Sequence, residues 1–215
     1  AHLATAMRYI LTTCVFLLAW GPMASSQEWP QFRGRHAGVA PDDPTLPDTW
    51  SETQNVAWRI DIPGRGWSSP IVWRDHVFVT TAINVRQPKQ ALLAAEAYRG
   101  ASTGGTMSRR DLVKDSDEFR WVLYDIDAAT GRVRWERVIY TGVPPRPVHM
   151  KNSYASETPV TDGERVYVYL GYVGLFAYDM NGRLAWAKPL EAKNTGNDGY
   201  FYGGGASPAL HDGRV

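Results

Sequence analysis

The chain has 215 residues, of which 44% are hydrophobic and 12% aromatic, with nine tryptophans and a formal net charge of +1. A balance this close to neutral argues against a nucleic-acid or other polyanion-binding protein. Its one cysteine, Cys14, excludes an internal disulfide framework and a thiolate metal centre within this stretch.

From the amino terminus, Met7 and Arg8 precede an apolar run from Ile10 to Trp20. That is the make-up of a secretory leader, too short to span a bilayer easily. Gly21-Pro22 breaks the run, and Ala24-Ser25-Ser26 offers small residues for cleavage before Gln27. Residues 1–26 are therefore expected to be a leader removed on export. Cys14 leaves with them, which suits an oxidising compartment, periplasmic or extracellular. Residues 27–54, with a Pro- and Asp-rich stretch from Pro41 to Trp50, read as an extended entry arm. No later apolar run is long enough for a membrane helix.

Residues 55–62 alternate as a strand would and carry Trp58. Four strands follow, expected at 69–73, 76–82, 119–127 and 132–139, with a turn at Arg74-Asp75. Between the second and third lies an insertion, 84–118, containing the helix-favouring stretch 90–98. The third and fourth are joined by Asp127-Ala128-Ala129-Thr130-Gly131, followed by Trp135. Asp127 and Thr130 suit turn hydrogen bonds, and Gly131 suits a positive φ.

The connection through residues 144–154 leads to a second set, expected at 157–161, 165–170, 174–179 and 183–189. Its last turn, Asp179-Met180-Asn181-Gly182, again precedes a tryptophan, Trp186. A second phrase recurs out of phase with the first: Ser69-Pro70, Thr158-Pro159 and Ser207-Pro208 each open a hairpin, where proline is tolerated. Repeats of four short strands at this interval are a signature of β-propeller blades. The fold expected is all-β: four-stranded antiparallel blades, about two complete, plus a ring-closing strand at 55–62. Residues 55–215 would be part of a propeller that extends beyond this chain, since propellers need roughly 4–8 blades.

At these residues the chain resembles the pyrroloquinoline-quinone (PQQ) repeat, or tryptophan-docking, family of β-propellers. Asp127, Thr130, Gly131 and Trp135 match its repeat pattern, with Asp125 where alanine is usual. The second copy has Ala177, Asp179, Gly182 and Trp186, but is one residue short and has Asn181 in place of Thr. The opening Trp29-Pro30-Gln31-Phe32-Arg33-Gly34 resembles the exported quinoprotein-like subgroup. What the resemblance implies for Trp58, Trp135 and Trp186 is docking of one blade on the next, whether or not a quinone is bound.

Two functions are open on this resemblance. One is a non-catalytic envelope propeller that binds or scaffolds proteins, as in propellers like the outer-membrane assembly lipoprotein. It needs no cofactor. The other is a PQQ-dependent dehydrogenase of alcohols or sugars, with a calcium ion and a carboxylate base, completed by further blades. The first is preferred. Inter-blade connections share one face of a propeller with the insertion 84–118. Arg65, Trp67, Lys151, Asn152, Tyr154, Tyr200 and Tyr202 are expected to form a binding rim there. The five histidines lack metal-ligand spacing, and the Gly-rich run 200–205 lacks the Lys-Ser/Thr of a phosphate loop.

Overall fold

A computed structural model describes residues 28–40, 42–86, 117–144, 152–171, 173–190 and 205–215. The leader, the stretch 90–98 and residues 200–204 of the Gly-rich run lie outside the described residues. Among the described residues, eight strands form two four-stranded antiparallel sheets, each in sequence order. The first contains β1 (Ile71–Trp73), β2 (His76–Asn84), β3 (Phe119–Asp127) and β4 (Val133–Gly142). The second contains β5 (Val160–Thr161), β6 (Arg165–Leu170), β7 (Gly174–Asp179) and β8 (Leu184–Pro189).

The strands β3, β6 and β7 have the expected bounds, while β4 runs on to Gly142. In contrast, β1 and β5 are shorter than expected at their starts, for a specific reason. Ser69 N–H donates to Thr158 Oγ1 at 3.0 Å, and Thr158 N–H donates to Ser207 Oγ at 2.9 Å. The amides ahead of each inner strand thus bond a hydroxyl of the next repeat rather than a ladder partner.

The sheets stack face to face. Between them, Ile71, Phe78, Trp121, Leu123 and Ile139 of the first sheet form one core with Val166, Val168, Leu170 and Tyr178 of the second. The other face of sheet one buries Ile83, Val122, Tyr124 and Ile126 beneath Trp58, Ile60 and Ile62. The outer face of sheet two gathers Val160, Tyr167, Leu175 and Ala177 with Leu190 and Leu210. Burial on both faces explains why β3 carries a continuous apolar run from Trp121 to Tyr124 rather than alternating with polar residues.

The strand expected at 55–62 is not hydrogen-bonded into a sheet. A ladder needs a neighbouring backbone, and no described strand lies beside this segment. Its alternate side chains still cover sheet one, as an extended chain allows. Both sheets carry a register shift just before their last turn, at Asp125/Ile126 and at Ala177/Tyr178. The bulges bring Trp135 opposite Asp125 and Trp186 opposite Ala177.

Candidate functional site

One end of the stack is built from the connections that enter β1 and β5. Residues 64–66 lie along the end of β2, where Arg65 and Ala82 exchange backbone hydrogen bonds of 2.9 and 3.0 Å. The approach is too close for any side chain at position 66, where a Cβ would fall 2.4 Å from the Thr80 carbonyl oxygen. Trp67 N–H then donates to Ala155 O at 2.9 Å and to Ser153 Oγ at 3.1 Å, and Ser68 N–H donates to Ala155 O at 3.1 Å. The two inter-sheet connections are therefore tied to each other, as their shared place in the repeat predicts.

This backbone holds Trp67 with 51% of its surface exposed. The Arg65 guanidinium lies 5.1 Å from the centre of its ring, a cation–π arrangement. Partial burial lowers the Arg65 pKa from its usual value, though arginine remains charged at neutral pH. Beside them, Asn152 Oδ1 accepts from Ser153 N–H at 2.8 Å and from the Ser156 hydroxyl. Ser153 and Ser156 hydroxyls also bond each other at 2.9 Å. Ser153 is buried, whereas Asn152 and Ser156 are half-buried at the edge of this surface.

Tyr154 has a different surrounding. Its ring meets Phe119 edge-on at 4.8 Å, and its carbonyl accepts the Trp121 indole N–H at 2.6 Å. The half-buried Tyr154 is thus mostly packed against sheet one beneath the rim rather than displayed on it. Lys151, Tyr200 and Tyr202 lie outside the described residues. Of the residues expected at the rim, Arg65, Trp67 and Asn152 lie at this end of the stack, with Tyr154 packed beneath them.

The repeat residues lie at the opposite end, in the turns. Asp127 Oδ1 accepts from Thr130 N–H and Thr130 Oγ1, both at 2.8 Å. These bonds and Arg134 hold the Asp127 carboxyl at a pKa of about 2. Gly131 has φ 70° and Gly182 φ 76°. Their missing Cβ atoms leave room for the rings of Trp58 and Trp135, respectively. Trp58 Nε1 donates to Ala128 O at 2.8 Å, and Trp135 Nε1 donates to Met180 O at 3.0 Å. Asp179 repeats the turn of Asp127, accepting from Asn181 N–H at 3.0 Å and Arg183 N–H at 2.9 Å. Trp186, 39% exposed, stacks obliquely on Tyr167 with ring centres 5.9 Å apart.

Three features escape a reading of the sequence alone. Asp125, wholly buried where the repeat usually has alanine, bonds His76 Nδ1 at 2.9 Å. Burial raises its pKa, against the opposing pull of the histidine contact. The departure from the repeat pattern was visible, but its partner on β2 was not. Glu157 is also buried, and burial raises its pKa although backbone N–H groups, including that of Gly171, favour its charged form. The third feature is a network at the base of the insertion, where Arg86 grips Asp117 through bonds of 2.8 and 2.9 Å and Asn84 donates to the same carboxylate at 2.9 Å.

Among the described residues no group of three or more His, Cys, Asp or Glu side chains is arranged to hold a metal ion. The surface around Trp67 carries the Arg65 cation and the exposed indole face, with half-buried Asn152 and Ser156 at its edge. A family model described as outer membrane protein assembly factor BamB, of the PQQ-repeat type, matches residues 24–200. A comparison with curated proteins finds no match.

Proposed function

Taking as premise that the chain belongs to this PQQ-repeat β-propeller family, we propose that it is an exported, non-catalytic propeller of the cell envelope that binds or scaffolds other proteins. The observation that carries this reading is the exposed Trp67 with Arg65 over its ring, mounted on a backbone fixed by Ala155 and Ser153. Tryptophan and arginine are the residues that most often anchor protein interfaces, and a fixed backbone lowers the entropy lost on binding.

A second support is the use already made of the repeat residues. Asp127, Thr130 and Asp179 close their own turns, while Gly131 and Gly182 seat tryptophans. The motif is accounted for by folding alone, so it creates no need for a quinone. Export rests on the leader reading of residues 1–26.

The test places a photo-crosslinking amino acid at position 67 in the full-length protein within its own envelope, with position 39 of the entry arm as control. Discrete protein adducts at 67, weakened by Arg65→Ala and absent at 39, are expected. Dye-coupled oxidation of alcohols or aldoses, with stoichiometric PQQ uptake in the presence of calcium, would overturn the reading in favour of the dehydrogenase.

A further inference from the structure

The inner edges of the two sheets are joined at the end opposite Trp67 by a piece of the entry arm. Trp29 N–H donates to Val72 O at 2.8 Å, and Val72 N–H donates back to Trp29 O at 2.9 Å. These bonds use the edge of β1 that faces away from β2. One residue later, Pro30 O accepts Thr161 N–H at 2.9 Å, on β5 of the neighbouring sheet. Proline has no N–H, so Pro30 can lie buried between the two edges without an orphaned donor.

The residues that follow hold this contact in place. Gly34 N–H donates to Gln31 O at 2.8 Å, and the Gln31 side-chain amide donates to Gly34 O at 3.1 Å. Gly34 has φ 64°, and a Cβ there would stand 2.8 Å from the Trp29 ring. The motif thus folds its own first residue onto its last. Arg35 then turns back over Trp73 of β1, 5.3 Å from the ring centre, and pairs with Glu28 at 2.9 Å. The Trp73 ring itself lies against Gly163 in the turn between β5 and β6, where a Cβ would fall 2.2 Å away. A second path from arm to sheet two therefore runs through Trp73.

We propose that residues 29–35 are an inter-sheet clasp that sets the spacing of the inner edges of β1 and β5, and through them the alignment of residues 64–68 with 152–156. The clasp also occupies backbone groups on edges that would otherwise be open to pairing with another chain. Its contacts lie outside both four-stranded ladders, so releasing it should loosen the joint while leaving each sheet formed.

Amide hydrogen exchange on the full chain carrying Gly34→Val tests this. Valine is strained at this positive φ and displaces the Trp29 ring. Protection at Val72 and Thr161 should fall by at least about tenfold, and at Trp67 to a smaller degree, with Tyr124 and Val168 changed by less than about twofold. Unchanged protection at Val72 and Thr161 in the folded variant would overturn the clasp. So would an equal loss at Tyr124 and Val168, which would make the arm part of a single cooperative core. Should Gly34→Val fail to fold, Gly34→Ala is measured in the same way and judged by the same outcomes.

Discussion

Gly182 and Trp135 act as one unit although they belong to different sheets. The indole lies where the glycine has no side chain, and its N–H finds Met180 O. Trp135→Ala should cost about 3 kcal/mol or more, the range for truncating a well-packed aromatic. Trp186→Ala should cost less, about 1 kcal/mol, because the indole is 39% exposed and packs obliquely on Tyr167 rather than into a glycine-lined seat. Gly182→Ala should fall between them, since it adds both backbone strain and a clash to one joint. Denaturant midpoints of the three variants check the order; equal effects of the two tryptophan changes would contradict it. The turn chemistry of Asp127, Thr130 and Gly131 was legible in the sequence because those residues bond their immediate neighbours. The carbonyls that receive the indoles were not, since nothing local marks Ala128 or Met180 as acceptors.

For the strands, what was legible was whatever the sheet itself requires. Alternation and turn residues located β3, β6 and β7, but they could not say where β1 and β5 begin. That boundary is decided by a hydroxyl 89 residues away in one case and 49 in the other. The Ser/Thr-Pro phrase marks where a hairpin opens, and its hydroxyl oxygen is also a joint between repeats. Thr158→Val keeps the shape but leaves Ser69 N–H without its acceptor. The expected loss is about 1–2 kcal/mol, with Thr158→Ser close to the parent. Calorimetry on the two variants distinguishes the lost hydroxyl from a packing effect. The segment 55–62 shows the converse limit: its alternation matches the half-buried side chains that cover sheet one, while the strand pairing expected of it depends on a neighbour that the pattern does not contain.

At the scale of the molecule, the turn end of sheet one should respond to acid. Thr130 and Arg134 lower the Asp127 pKa from 3.8 to about 2, and Arg134 lowers that of Asp75 as well. A carboxyl depressed by folding contributes stability above its unfolded pKa and loses it as pH falls through its folded one. The contribution of Asp127 is therefore expected to be full above about pH 4 and to fade toward pH 2. Buried Asp125 works in the opposite sense, its pKa being raised. Asp127→Asn should flatten the acid limb of a plot of melting temperature against pH; an unchanged limb would show that other carboxyls govern it. Export is a separate expectation for the whole chain: the protein recovered from envelope fractions should begin near Gln27 on amino-terminal sequencing. A form retaining Met7 in the cytoplasm would sink the leader reading. Of the candidate rim, the juxtaposition of 64–68 with 152–156 was legible from topology. The inward packing of Tyr154 was not, because its aromatic partners come from β3.

Among the described residues, the indole and Ser/Thr joints between successive repeats run in the same direction along the chain. The earlier repeat supplies the donors, an indole N–H and a backbone amide; the later one supplies the acceptors, a turn carbonyl and a hydroxyl. A head-to-tail coupling of this kind makes each unit a plug at one side and a socket at the other. A gene segment encoding one unit could then be copied or lost in evolution without inventing a new coupling, because the units on either side would still meet plug to socket. It also gives synthesis a polarity: each repeat leaving the ribosome would display donors whose acceptors are encoded in the repeat translated next.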